Sequence, residues 1–140
     1  LKFALVKAID EDTNAFNAYM DARRLPNKTA EENEAREEAM QAGLKQAVMV
    51  PLNTAKQSYR AIEIAEVVAE NGNPNSITDV GVGAQSAFTG VLGGIYKVLI
   101  NLKDIKDQKF VDEMRTTCAE LKGKAQKRLS DVLGFIESKL

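Results

Sequence analysis

Three carboxylates stand in succession at Asp10-Glu11-Asp12, and Asp12 lies one helical turn before Phe16 and two before Tyr19. A carboxylate beside aromatic surface loses solvent, which raises its pKa towards the range where it can shuttle a proton. The ordinary fate of such an acidic run is a solvated helix face, and residue types alone leave both open. Asp79 is equally ambiguous, because Ser76-Ile77-Thr78-Asp79 has the layout of a helix cap, in which an acidic group satisfies backbone donors. Lys97 is the first charge after the uncharged run 80–96, free to extend outward or to meet an anionic ligand. Arg24, just before Pro26, is either a helix-terminal charge or a carboxylate anchor. With no histidine in the chain, acid–base work falls to Asp, Glu, Lys or Tyr.

Five of the nine glycines fall between positions 81 and 94. Gly81-Val82-Gly83 resembles the start of a dinucleotide fingerprint, but Ser86 holds the third glycine position and a helix cap, not a strand, precedes it. That motif is rejected. On a 3.6-residue period Gly83, Ala87, Gly90 and Gly94 share one face, while Val80, Ala84, Phe88, Val91, Ile95, Val98 and Leu102 share another. The small face serves close helix packing, a slot for a flat molecule, or both.

Four helices must position these groups. Leu1, Leu5, Ala8, Ile9, Phe16 and Tyr19 follow helical spacing up to the stop at Pro26. Thr29-Ala30-Glu31-Glu32 has the form of a capping box and opens a second helix of about 40 residues, with an apolar stripe from Met40 to Ile62 that ends near Val67-Val68. Pro51 in its middle predicts a kink or short break that frees the carbonyl near Ala47. Asn71-Gly72-Asn73-Pro74-Asn75 is a turn, and the glycine-bearing helix follows. Residues 101–107 are expected to form a loop, with Asp107 capping a last helix whose stripe runs from Phe110 to Ile136. Tyr59 and Tyr96 are expected in the core. The expected fold is all-α, an antiparallel bundle of long helices, and apolar stripes too long for one copy to cover predict a dimer.

Bulk composition sets outer bounds. Nineteen basic against twenty acidic side chains give no footprint for nucleic acid and no polybasic patch for a membrane surface. The 17 uncharged residues 80–96 are diluted by Gly, Ser, Thr and Gln, so they are expected to form a buried helix and not a bilayer span. A single cysteine, Cys118, on an apolar stripe reads as buried filler and points to a reducing, cytoplasmic setting.

Four collinear strings, DEDTNAFNAYMDARRLP at 10–26, TAEENEAREEAMQAGLKQAVMVPL at 29–52, GNPNSITDVGVGA at 72–84 and GVLGGIYKVLINLKDIKD at 90–107, resemble the cyclodeaminase part of formiminotransferase-cyclodeaminase and the related methenyltetrahydrofolate cyclohydrolase-like proteins. The resemblance implies an all-helical homodimer that takes a tetrahydrofolate derivative as substrate, with no metal. It closes 5-formiminotetrahydrofolate to 5,10-methenyltetrahydrofolate and releases ammonia, within histidine degradation and one-carbon metabolism. It also implies a fused formiminotransferase domain as a possible partner. Carried onto this chain, it makes Asp12 or Asp79 the proton relay, Asn73, Asn75 and Asn101 amide contacts to the folate, and Arg24 and Lys97 cations for its glutamate tail. Members of the family carry further helices and a Pro-Gly-Gly-Gly-type segment upstream, so residues 1–140 are expected to be one cyclodeaminase-like domain lacking them. An Asn is common in the family where Lys97 stands and a Tyr where Ile95 stands, which bears on the ligand role of both. The alternatives are a methenyltetrahydrofolate cyclohydrolase and a non-catalytic helical dimerisation module.

Overall fold

A computed structural model describes all 140 residues. Four helices, α1 (Lys2–Arg23), α2 (Ala30–Asn71), α3 (Ile77–Asn101) and α4 (Gln108–Glu137), make up the fold, with single 3-10 turns at Pro74–Ser76 and Leu102–Asp104 and no strand. Each helix runs antiparallel to the one before it. Tyr19 lies against Gly43 and Gly90 against Ser58, Asn101 bonds Ala47, and Gly81 faces Ile136.

The start of α2 is the predicted capping box: Glu32 N donates to Thr29 Oγ1 at 3.1 Å and Thr29 N to Glu32 Oε2 at 3.2 Å. The helix runs unbroken through Pro51 for 42 residues, so the expected break does not form. Proline cannot donate to the carbonyl four residues back, and the side-chain amide of Asn101 supplies that donor, 2.9 Å from the Ala47 oxygen. At the other end of α3 the predicted cap is absent. Ser76 makes no side-chain capping bond, because the 3-10 turn feeds directly into the helix and Asn73 Oδ1 instead accepts from Asn75 N at 3.0 Å. Asp107 does cap α4, accepting from Phe110 N at 3.1 Å while its other oxygen takes Lys45 Nζ at 2.7 Å.

The core joins α2, α3 and α4 through Val48, Leu52 and Ile62, Val91 and Val98, and Cys118 and Val132. Burial pushes the Cys118 thiol pKa up, as expected of an inert filler. Tyr59 packs against this core with Arg128 over its ring, whereas Tyr96 is exposed, against expectation. The outlier is α1: it buries only Ala8, Ala15 and Ala22, two turns apart, and leaves Phe3, Val6, Ile9 and Phe16 uncovered.

The small residues of α3 serve two purposes. Gly83 and Gly93 face open space, but a Cβ on Gly94 would meet the Pro51 carbonyl oxygen at 2.6 Å and Ala55 Cβ at 2.8 Å. Two rigid groups of α2 thus forbid a side chain there. We expect Gly94→Ala to destabilise the fold by about 1–3 kcal/mol through overpacking, and Gly123→Ala, in open space on α4, to stabilise it by about 0.5–1 kcal/mol; denaturant titration of the two variants checks the opposite signs.

The Asp107 knot gives a pH signature. The hydrogen bond from Lys45, helped by that from Phe110 N, holds the Asp107 carboxyl below its ordinary value of 3.8. A depressed folded pKa contributes stability that is complete above the ordinary value and disappears as pH falls through the folded one. Asp107→Asn is therefore expected to lower the thermal midpoint at pH 7, and the difference from the parent should shrink as the pH falls below 3.8.

Candidate functional site

Asp12 and Lys97, 85 residues apart in sequence, meet at the mouth of a groove among α1, α2 and α3. Asp12 is on the α1 side and Lys97 on the α3 side, with Nζ and Oδ2 2.9 Å apart. Behind them the groove encloses about 320 Å³, with Leu5 and Ile9 on one wall, Val50 and Pro51 on the floor, and Gly90 and Gly94 opposite. Gly93, also on this wall, faces open space, whereas Gly90 and Gly94 are pressed against Ser58 and against Pro51 and Ala55 of α2.

The ion pair is half-exposed, with Lys97 62% and Asp12 44% accessible. Such pairs contribute about 0.2–1 kcal/mol, so opening this one to admit a ligand costs little. Asp12 Oδ2 accepts from the Lys97 ammonium, and no protein group donates to Oδ1. Thr54, one turn past Pro51, also lines the groove, though its hydroxyl donates to the Val50 carbonyl at 3.3 Å. Sequence reasoning missed Thr54; its signal was the shared helix face with Pro51. A second depression of about 400 Å³ lies one turn further along α1 and α3, bordered by Phe16, Tyr19, Leu44, Ile100 and Asn101.

Of the residues singled out in the sequence, the structure brings together Asp12 and Lys97, with Asn101 one turn beyond Lys97 and bonded to Ala47. It does not gather the others. Asp79 is exposed on the first turn of α3 and makes no hydrogen bond, 18 residues before Lys97, which is about 27 Å of helix. Asn73 and Asn75 share that far end and bond each other. Arg24 ends α1 about 18 Å beyond Asp12 and pairs with Asp21 at 3.1 Å. No three acidic or cysteine side chains converge into a metal-binding cluster, and no helix is long and apolar enough to cross a membrane.

A family profile described as formiminotransferase-cyclodeaminase matches residues 1–120. The chain is 38% identical over 135 residues to the formimidoyltransferase-cyclodeaminase of Gallus gallus, an alignment covering 96% of this chain and 25% of that protein. It is 40% identical over 113 residues to the methenyltetrahydrofolate cyclohydrolase of Methylorubrum extorquens, covering 81% of this chain and 54% of the other. The crystal structure of formiminotetrahydrofolate cyclodeaminase from Thermotoga maritima matches with a TM-score of 0.82 at 25% identity, over 97% of this chain and 64% of that one. The chain thus spans a quarter of the length of the first relative and about half of the second.

Proposed function

Because this chain belongs to the formiminotransferase-cyclodeaminase family, whose profile covers 120 of its 140 residues, we propose that it handles a tetrahydrofolate in the Asp12–Lys97 groove and closes 5-formiminotetrahydrofolate to 5,10-methenyltetrahydrofolate. In that reaction N10 attacks the formimino carbon, the new N10–carbon bond forms, and the carbon–amine bond breaks. The N10 proton passes to a base, and the amine takes up a proton before leaving as ammonia. Asp12 is the base in this scheme, and the observation that carries the assignment is its place, paired with Lys97, at the mouth of the groove. N10 and the acceptor carbon belong to one molecule, so the protein's main task is to hold them in attacking geometry and manage two protons. Lys97 offers an ammonium to an anionic group of the folate, exchanging Asp12 for the ligand.

The 40% identity to a methenyltetrahydrofolate cyclohydrolase favours a second reading, in which Asp12 activates water against the methenyl carbon. The same carboxylate serves either direction. Asp79, Asn73, Asn75 and Arg24 lie too far from Asp12 to share its reacting atoms within one copy, and a catalytic or ligand role for Asp79 and the two asparagines needs a second chain whose α3 N-terminus meets the groove. The uncovered row Phe3, Val6, Ile9 and Phe16 on α1 supports such a homodimer. The name of the Gallus gallus relative supports a fused formiminotransferase domain in the whole protein. For the compartment we keep the cytoplasm, on the single buried cysteine.

Absorbance of methenyltetrahydrofolate tests these readings in the full-length protein. Formation from the formimino substrate is expected; loss of added methenyl compound would assign the cyclohydrolase reaction instead, and no change in either direction would defeat both. Asp12→Asn is expected to lower kcat by about 100-fold or more, and full activity in that variant would remove Asp12 from the mechanism.

A further inference from the structure

Asn101 stands where the irregularity of α2 meets the end of α3. Pro51 leaves the Ala47 carbonyl without its helical donor, and a buried carbonyl with no partner is costly. The Asn101 amide fills that vacancy at 2.9 Å from a part-buried position. Seven residues earlier on the same face, Gly94 allows α3 to touch the Pro51 carbonyl and Ala55 directly. Lys97 lies between these two contacts, one turn before Asn101.

The two contacts flank Lys97 on the part of α3 that packs against α2, beside the apolar core the two helices share. Resting on the proposed folate site, we infer that Asn101 is a positioning residue: its amide, bound to the carbonyl that Pro51 frees, sets the register of α3 so that Lys97 stands across the groove from Asp12. This role differs from a direct amide contact to the ligand, because the contact it uses is the one to the Ala47 carbonyl. Sliding or rolling α3 by a fraction of a turn would carry the ammonium away from the 2.9 Å pair.

The test uses Asn101→Leu, Pro51→Ala and their combination in the full-length protein, with three readouts. Asn101→Leu is expected to lower the thermal midpoint by about 4–8 °C and to raise KM for the folate substrate about tenfold with kcat little changed. Pro51→Ala restores an N–H to the Ala47 carbonyl, so on that background Asn101→Leu should cost far less in thermal midpoint, yet still raise KM. An equal thermal loss on both backgrounds would show that the amide does not serve the proline-freed carbonyl. A KM that recovers together with the midpoint would reduce Asn101 to a structural residue. Labelling of Lys97 by an amine-reactive reagent, read by peptide mass spectrometry, needs no folate and separates this inference from the proposed function. Without its ion pair Lys97 should label about two- to fivefold faster in Asn101→Leu than in the parent, and an unchanged rate would overturn the positioning role even in a protein with full activity.

Discussion

A backbone carbonyl that its own helix cannot satisfy ties the middle of α2 to the end of α3. Pro51 stands in the middle of a 42-residue helix, where its ring removes one hydrogen bond and crowds the preceding turn. Most sequences meet that by bending or ending the helix. Here the neighbouring helix brings a side-chain amide to the orphaned oxygen and presents a glycine where the proline carbonyl protrudes. The defect thereby becomes a docking point. A polar row on the same flank of α2 continues it: Gln41 accepts from Lys106 N at 2.9 Å and donates to the Asp104 carbonyl at 3.0 Å, and Lys45 reaches Asp107. The connection from α3 to α4 is therefore fastened by α2 at Asp104, Lys106 and Asp107.

How much of this was legible in the sequence depends on whether the signal was local. Helix limits, the Thr29–Glu32 box and the Asp107 cap are encoded within a few residues, and the structure repeats them. The freed carbonyl at Ala47 was readable from Pro51 alone, but its partner was not, because 54 residues separate Asn101 from Ala47 in sequence and no periodicity connects them. The cap at Ser76 failed for a related reason: the pattern fits, yet Pro74 imposes a 3-10 turn that leaves no extended residue to act as cap. Tyr96 was expected in the core, but its position on α3 leaves it exposed.

The candidate site shows the same division. Asp12 and Lys97 stand out as residue types, but their pairing depends on how α1 and α3 lie over α2, which is a property of packing. The glycines between 81 and 94 raised two readings; Gly94 is required for helix contact and also borders the groove, while Gly93 lines the groove and faces open space.

The alanine row of α1 carries a final consequence. Leu, Ile and Val side chains knit α2, α3 and α4 into one cluster, against which α1 packs the partly buried Tyr19; only Ala8, Ala15 and Ala22 are fully buried along its 22 residues. Segments with so little apolar anchorage separate at a fraction of the free energy needed to unfold the whole. The carboxylate of the groove therefore stands on a helix that buries only small side chains, and its lysine on one whose valines and isoleucine belong to the core. Anything that binds across α1 and α3 together would add to α1 the anchorage its own small side chains do not supply.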